Sequence, residues 1–352
     1  MKIREVTLGF TGIKTPQNGF GALPIQRSRP EEAVQILRRA YEGGMTFFDT
    51  ARAYSDSEEK IGLALSDVRD RIFLATKSRA KNAQDLRQDL MTSLDKLKTD
   101  YVDIFQFHQA DRCYRPGDGT GMYEEMEKLK SEGKIGHIGI TAHKIGVAEE
   151  AVESDLYATL QYPFSYLASD RDLALAAACR EHGMGLIAMK SLAGGLINDS
   201  HAAFAFMNQP AFDHVIPIWG IQRMRELEEW LVYMEAPAKM DEAAKRAIEK
   251  DRADLSGDFC RGCGYCMPCP QGIRINQCAR IGLMVRRAPS QDWLSDYWQA
   301  EMEKVRTCIH CNACSFRCPY ELDTPTLLER NLRDYEALLA GEKSVEDHLV
   351  LG

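Results

Sequence analysis

The distribution of cysteine along the chain is the strongest constraint on its fold. Nine of the eleven cysteines lie between Cys260 and Cys318, and only Cys113 and Cys179 precede them. The stretch from Met1 to Phe10 has no signal-peptide pattern, so we expect a cytoplasmic protein, in a compartment that disfavours structural disulfides. Dense thiols in such a compartment indicate metal ligation. We therefore predict a separate metal-binding module in the last third of the chain.

Eight of these cysteines form two regularly spaced motifs. The first reads Cys-x-x-Cys-x-x-Cys-x-x-Cys-Pro and the second Cys-x-x-Cys-x-x-Cys-x-x-x-Cys-Pro; their members are Cys260, Cys263, Cys266 and Cys269, then Cys308, Cys311, Cys314 and Cys318. The second motif has the spacing with which bacterial ferredoxins hold [4Fe-4S] clusters. The spacing predicts two such clusters. A pair of zinc sites is the alternative, because Cys-x-x-Cys pairs also bind zinc.

The resemblance to ferredoxins implies a crossed distribution of ligands, because the last Cys of each motif there completes the neighbouring cluster. One set is then Cys260, Cys263, Cys266 and Cys318, and the other is Cys308, Cys311, Cys314 and Cys269. Cys113 and Cys278 have no spacing partner and are interpreted as ordinary buried thiols. The insert 271–307 between the motifs has a helical pattern, so the module is predicted to be all-helical.

Upstream of the module, short apolar segments rich in β-formers alternate with longer amphipathic ones. The predicted strands are Gly19–Leu23, Thr46–Asp49, Ile72–Thr76, Val102–Phe107, His137–Thr141, Ala158–Gln161, Gly185–Met189 and Val215–Trp219. Eight strands separated by helices favour an α/β fold of the (β/α)8 TIM barrel type over an open sheet. The pattern changes near residue 240. We predict a barrel in residues 1–240 and a small helical ferredoxin-like iron-sulfur domain in residues 241–352.

Net charge and hydropathy limit the partners of the chain. The formal net charge is −8, which argues against nucleic acid, whose affinity depends on Lys and Arg neutralising phosphates. No apolar run is long enough to span a bilayer, so we expect no membrane partner. A small-molecule substrate and a protein partner remain.

Four polar residues lie at or just beyond the ends of consecutive predicted strands. They are Asp49, Tyr54, Lys77 and His108. Barrel enzymes carry their chemistry at these strand ends. A phenol beside an ammonium suits proton donation, with the pKa of Tyr54 lowered by Lys77 and with Asp49 holding the lysine. His108 would orient a carbonyl oxygen.

These four residues match the catalytic tetrad of the aldo-keto reductase family, in the same order and on corresponding strands. The chain also resembles the family in Phe-Phe-Asp-Thr-Ala-x-x-Tyr, Gly-Lys-Ile-x-x-Ile-Gly-Ile and Leu-Gln-Tyr-Pro-Phe. The resemblance implies an NAD(P)-dependent oxidoreductase that reduces an aldehyde or ketone to an alcohol, or runs the reverse reaction.

The same resemblance implies a set of nucleotide contacts. Thr141, Gln161 and Met189 correspond to the nicotinamide site, Ser191, Leu192 and Gly194 to the pyrophosphate loop, and Gly220, Arg223 and Glu229 to the adenosine end. Glu226 stands where the family usually has Arg, whereas Arg223 and Arg225 offer two guanidinium groups. The cofactor is therefore expected to be NADP(H) or NAD(H), with the arginines favouring NADP(H).

Hydride transfer does not itself need iron-sulfur clusters, because one cubane carries a single electron. The clusters are expected to exchange electrons with a redox protein partner or to serve structurally. The alternative function is an electron-transfer subunit of a larger redox complex that uses the barrel only to bind nucleotide; the intact tetrad favours the reductase. In the loop 110–122, Arg112 and Arg115 suggest an anionic substrate.

Overall fold

The computed structural model describes residues 3–255, 258–287 and 290–347. The chain divides into two compact units. The first comprises Met1–Ser191 and Ser200–Ala244, and the second Leu192–Asp199 and Lys245–Gly352. The segment Leu192–Asp199 thus groups with the cysteine-rich part of the chain, which a single boundary near residue 240 does not anticipate.

A short antiparallel hairpin precedes the barrel strands of the first unit. It consists of β1 (Glu5–Thr7) and β2 (Lys14–Pro16), with Val6 opposite Thr15. Val6 is buried in one hydrophobic cluster with barrel residues that include Phe47 and Ile216. The barrel interior is therefore a packed core. Sequence analysis missed the hairpin because three-residue strands have almost no periodicity to detect.

The predicted eight-stranded barrel is confirmed. Its strands are β3 (Gly19–Gly21), β4 (Phe47–Asp49), β5 (Phe73–Ser78), β6 (Val102–Phe107), β7 (Ile135–Thr141), β8 (Thr159–Pro163), β9 (Gly185–Met189) and β10 (Val215–Gly220). Neighbouring strands are parallel in chain order, and β10 pairs with both β9 and β3, which closes the barrel. All eight strands therefore end at the same rim.

The helices of the first unit follow the strands in turn. They are α1 (Pro30–Glu42), α2 (Ser57–Leu65), α3 (Ala83–Leu97), α4 (Met122–Ser131), α5 (Ile145–Glu153), α6 (Asp170–Glu181), α7 (Ser200–Met207) and α8 (Met224–Glu235). Their starts carry local signals: Pro30 occupies the first turn of α1, and the Asn82 side chain accepts the Asp85 amide at the start of α3. These signals define where α1 and α3 begin.

The second unit is all-helical in its described residues. Its helices are α9 (Glu242–Asp254), α10 (Ile275–Cys278), α11 (Ile281–Arg287), α12 (Ser290–Trp293), α13 (Asp296–Glu303), α14 (Ala313–Phe316) and α15 (Thr324–Leu339). Its core includes Ile281, Leu328 and Tyr335, against which Trp293 and Trp298 pack.

No helix within 3–255, 258–287 and 290–347 is long and apolar enough to cross a membrane.

Strand register brings the predicted site residues side by side. Asp49 lies opposite Ala75 of the next strand, and Lys77 lies opposite Gln106. Two strands further on, Thr141 lies opposite Gln161. Because the strands are parallel, these positions share the carboxyl rim.

Gly139 in β7 gives a test of how tightly this rim is packed. A Cβ at this position would clash with Thr159 and lie 2.9 Å from Gln106 Cγ. We expect Gly139→Ala to lower the free energy of unfolding by about 1–3 kcal/mol through overpacking, measured by urea denaturation. Gly146→Ala is the control, because Gly146 lies in α5 with no atom within 4 Å of an added Cβ; it should be neutral or stabilising by up to about 1 kcal/mol. Equal effects would contradict this account of the rim.

Candidate functional site

The four residues of the predicted tetrad lie together at the carboxyl rim. Asp49 ends β4, Lys77 lies in β5 and His108 directly follows β6. Tyr54 lies in the loop between β4 and α2; its ring centroid is 5.3 Å from Lys77 Nζ and 5.7 Å from the His108 ring, which it meets edge-on. A phenol, an ammonium group and an imidazole therefore face the same space.

Lys77 is fixed by a buried ion pair. Its Nζ lies 2.6 Å from Asp49 Oδ1 and also donates to the Thr50 carbonyl oxygen at 2.6 Å. Burial raises the pKa of Asp49 and lowers the pKa of Lys77, and in each case the partner opposes the shift. A buried ion pair of this kind adds little net stability to the fold, but it fixes the position of the Lys77 ammonium group. Removal of either partner lowers the free energy of unfolding by about 3–5 kcal/mol, because the other charge is left unpaired.

A chain of side-chain amides extends this pair across the barrel. Gln161 Nε2 lies 3.4 Å from Asp49 Oδ2, and Gln106 Nε2 donates to Gln161 Oε1 at 2.9 Å. An ionised Asp49 only accepts hydrogen bonds, so it fixes the orientation of Gln161 and, through it, that of Gln106. Sequence reasoning missed Gln106, although a polar residue between two phenylalanines of a buried strand was a usable signal.

The electrostatics of Tyr54 differ from the sequence prediction. Burial raises the pKa of the phenol, the Asp49 carboxylate raises it further, and Arg79 opposes the rise. The predicted lowering of this pKa by Lys77 is therefore wrong, because desolvation of the phenol and the nearby Asp49 carboxylate raise it instead. The phenol is fully protonated at neutral pH.

His108 is a neutral imidazole at the rim. Burial lowers its pKa well below the ordinary value, and Lys77 and Arg79 add to the shift. Its Nδ1 is buried, with no hydrogen-bond partner among the described residues. A neutral imidazole can present an N–H to a carbonyl oxygen without adding a net charge.

A second buried carboxylate, that of Glu58, contacts β5 next to Lys77. Glu58 in α2 accepts a hydrogen bond from Thr76 Oγ1 at 2.7 Å and pairs with Arg52. Its charge also favours the protonated form of Lys77. Sequence reasoning missed Glu58, because an acidic residue in the first turn of a helix is usually exposed.

The predicted nicotinamide residues lie on three consecutive strands. Thr141 ends β7 and its Oγ1 accepts the Gln109 amide at 2.7 Å. Gln161 lies in β8 with its amide engaged as described, and Met189 ends β9. Of the predicted pyrophosphate residues, Ser191 is buried and donates to the Ala188 carbonyl oxygen.

The rest of that loop, Leu192 and Gly194, belongs to the second unit. Its backbone turns sharply, with φ of 69° at Gly194 and 92° at Gly195. Such values are readily adopted by glycine.

At the predicted adenosine end, a side chain of the protein itself caps the start of α8. Gly220 ends β10, while Arg223 and Glu229 are exposed near the start of α8. The Glu226 carboxylate accepts the backbone amides of Gln222 and Arg223 at 2.9 and 3.1 Å. The chain thus places its own negative charge on the amides that open this helix.

The arginines of the loop 110–122 have carboxylate neighbours. Arg115 Nη2 lies 3.0 Å from Glu150 Oε1, and Arg112 Nη2 lies 3.9 Å from Asp118 Oδ2. Both charges are therefore balanced within the protein, which weakens the sequence argument for an anionic substrate.

The eight motif cysteines line two cavities in the second unit. One is lined by Cys260, Cys263, Cys266 and Cys318, and the other is lined by Cys269, Cys308, Cys311 and Cys314. These are the two crossed sets, and each supplies the four thiols that one cubane requires. Within the described ranges, no three His, Cys, Asp or Glu side chains surround a point suited to a single metal ion.

The two cysteine loops repeat one backbone conformation. The residues flanking the second Cys have positive φ in both: Gly262 (64°) and Gly264 (82°) around Cys263, then His310 (50°) and Asn312 (56°) around Cys311. The Gly262 amide lies 3.4 Å from Cys260 Sγ, in position to donate to it. Burial raises the pKa of the Cys266 thiol to about 12, so binding of a metal must displace its proton.

Comparison with known proteins agrees with both halves of this description. The sequence profile of the aldo/keto reductase family matches residues 17–247, and that of a 4Fe-4S dicluster domain matches residues 259–323. L-galactose dehydrogenase of Arabidopsis thaliana is 30% identical over 217 residues, which cover 56% of this chain and 68% of that protein. A probable aldo-keto reductase of Glycine max is 26% identical over 213 residues, which cover 55% of this chain and 61% of that protein.

The matched part spans between three-fifths and about two-thirds of the length of these relatives. Among solved structures, an aldo-keto reductase of Bacillus halodurans in its holo form superposes with a TM-score of 0.60 at 21% identity; the match covers 71% of this chain and 96% of that one. A thermostable aldo-keto reductase in complex with the inhibitor epalrestat superposes with a TM-score of 0.57 at 25% identity, over 71% of this chain and 100% of that one.

The closed parallel barrel, the residues at its rim and the matching profile lead to one conclusion. The chain belongs to the aldo/keto reductase family and carries a C-terminal 4Fe-4S dicluster domain.

Proposed function

We propose that the enzyme reduces the carbonyl group of a small aldehyde or ketone to an alcohol, or catalyses the reverse oxidation, with Tyr54 as the proton donor. The observation that carries this proposal is the convergence of Tyr54, His108 and the fixed Lys77 on one space at the rim. The substrate is a small molecule, because the chemistry lies at the end of a packed barrel.

The raised pKa of Tyr54 suits this role. The phenol stays protonated until a carbonyl oxygen that is gaining negative charge lies beside its hydroxyl. The Lys77 ammonium group, 5.3 Å from the ring centroid, then stabilises the phenolate that is left. His108 orients the carbonyl oxygen through an N–H and, being neutral, does not compete as an acid.

A bound nicotinamide nucleotide supplies or accepts the hydride. Thr141, Gln161 and Met189 would hold its nicotinamide at the ends of three neighbouring strands. The backbone of Ser191, Leu192 and Gly194 would meet the pyrophosphate, and Gly220, Arg223 and Glu229 would meet the adenosine end. The unpaired Nδ1 of His108 supports this assignment as a buried polar atom that lacks a protein partner among the described residues.

Each cysteine-lined cavity is proposed to hold one [4Fe-4S] cluster. Supporting this, each cavity offers four thiols and the Gly262 amide is in position to donate to a ligand sulfur. The clusters would exchange electrons with a redox protein partner or stabilise the helical unit. A cytoplasmic location, where such thiols stay reduced, remains part of the proposal.

Replacement of Tyr54 tests the proposed chemistry. We expect Tyr54→Phe to lower kcat for simple aldehydes by about 10²–10⁴-fold, because the proton donor is lost, while nucleotide binding measured by fluorescence titration is unchanged. Tyr101→Phe is the matched control, since this exposed tyrosine packs on Arg69 away from the rim. Unchanged turnover of Tyr54→Phe would reject the mechanism.

Replacement of Glu226 tests the choice of nucleotide. Its carboxylate repels a 2'-phosphate at the start of α8, so Glu226→Gln should raise kcat/KM for NADPH relative to NADH about fivefold, corresponding to about 1 kcal/mol. The gain should shrink in high salt, because the site is near the surface. Glu235→Gln, about 13 Å further along the same helix, is the control and should leave the ratio unchanged. A falling NADPH to NADH ratio in Glu226→Gln would contradict this assignment.

Anaerobic iron and sulfide analysis tests the clusters. We expect about eight irons and about eight acid-labile sulfides per chain. Cys311→Ser should lower both, because Cys311 lines one cavity, whereas Cys278→Ser should not, because buried Cys278 lines neither. Zinc without sulfide would establish the alternative that the sequence left open.

A further inference from the structure

Among the described residues, the buried guanidinium of Arg280 has no carboxylate partner. It lies between α10 and α11 of the second unit and is only 4% exposed. Its Nη2 donates to the Gly194 carbonyl oxygen at 2.6 Å and contacts Met284 Sδ, and its Nε has no hydrogen-bond partner among the described residues. Burying an unpaired charge costs several kcal/mol. Such a residue is expected to face a negative charge.

Two half-buried arginines of this unit, Arg286 and Arg287, show the ordinary solution. Arg286 pairs with Asp334 at 2.6 Å, and Arg287 pairs with Asp251 at 2.8 Å. Both use carboxylates to balance the guanidinium. Arg280 is surrounded instead by backbone, a thioether and the first cysteine loop.

Two glycines form the walls around the Arg280 side chain. A Cβ at Gly194 would lie 2.9 Å from Nη1, and a Cβ at Gly262 would lie 2.7 Å from it. Gly262 stands between Cys260 and Cys263, and its amide points at Cys260 Sγ. The guanidinium is therefore packed between the loop that lines one cysteine cavity and the segment Leu192–Asp199.

We propose that Arg280 is the counter-charge of the cluster bound by Cys260, Cys263, Cys266 and Cys318, and that it ties the segment Leu192–Asp199 to that cluster. A cubane with four thiolate ligands carries a net negative charge, which the guanidinium balances. The hydrogen bond to Gly194 then makes the order of this segment depend on the presence of the cluster. An effect of the cluster on nucleotide binding would follow only if Leu192 and Gly194 contact the pyrophosphate, so that consequence rests on the proposed function.

The charge half of the proposal predicts a change in reduction potential. A nearby cation stabilises the reduced cluster, which is the more negative form, and so raises its midpoint potential. In the holoenzyme, Arg280→Met should shift one midpoint potential to more negative values and leave the other unchanged, as measured by EPR-monitored redox titration. Arg246→Met is the matched control, because Arg246 is exposed on α9 and lines neither cysteine cavity; it should shift neither.

The tether half predicts a change in the protection of the Leu192–Asp199 backbone. Hydrogen exchange of this peptide should be at least about tenfold faster in Arg280→Met than in the wild type at equal iron content. Arg280→Lys separates the two roles, because it keeps the charge but loses the planar fork that reaches Gly194. It should largely retain the midpoint potential and still show faster exchange.

Two results would overturn the proposal: both midpoint potentials unchanged in an iron-replete Arg280→Met protein, or exchange of Leu192–Asp199 unchanged in both variants. If Arg280→Met does not load iron, Arg280→Lys alone decides, since normal exchange in that variant rejects the tether. Neither readout depends on turnover. Failure of the proposed carbonyl chemistry, seen with Tyr54→Phe, is therefore distinguishable from failure of this inference.

Discussion

Compensation of buried charge is the constraint on which both units of this protein depend. In the barrel, Lys77 and Asp49 are almost fully enclosed. They are tolerated because they meet at 2.6 Å and because Thr50 and Gln161 each add a hydrogen-bonding contact. In the second unit, Arg286 and Arg287 use carboxylates for the same purpose. Arg280 departs from this rule beside a cysteine cavity, which is where a further negative charge is expected.

In the barrel, the paired buried charges lie at the candidate site because all eight strands end at one rim. Side chains that are 28 residues or more apart in sequence, such as Lys77 and Asp49 or Gln161 and Asp49, meet there without any local signal linking them. The same rim combines a protonated phenol, an ammonium group and a neutral imidazole. Their pKa values are displaced in different directions by a shared environment.

Sequence patterns predicted the closed barrel and the four residues Asp49, Tyr54, Lys77 and His108, but not Gln106 or Glu58. Alternation of β-rich and amphipathic segments identified all eight barrel strands, because most of them are short apolar runs. The resemblance to bacterial ferredoxins likewise anticipated which four thiols share each cavity. Quantities that depend on the assembled surroundings were not accessible. The pKa of Tyr54 depends on how completely the rim is desolvated. Whether the charges of Arg112 and Arg115 are balanced depends on carboxylates that they contact only in the folded chain.

The placement of Leu192–Asp199 has a consequence for how such a protein can be assembled from parts. This segment is encoded within the barrel sequence, yet its Gly194 and Leu196 carbonyl oxygens accept hydrogen bonds from Arg280 and Arg287, more than 80 residues downstream. A barrel expressed alone, or joined to a foreign tail, would carry the segment without those donors. Exchange of the cysteine-rich unit for another domain would therefore remove the hydrogen-bond donors of this segment.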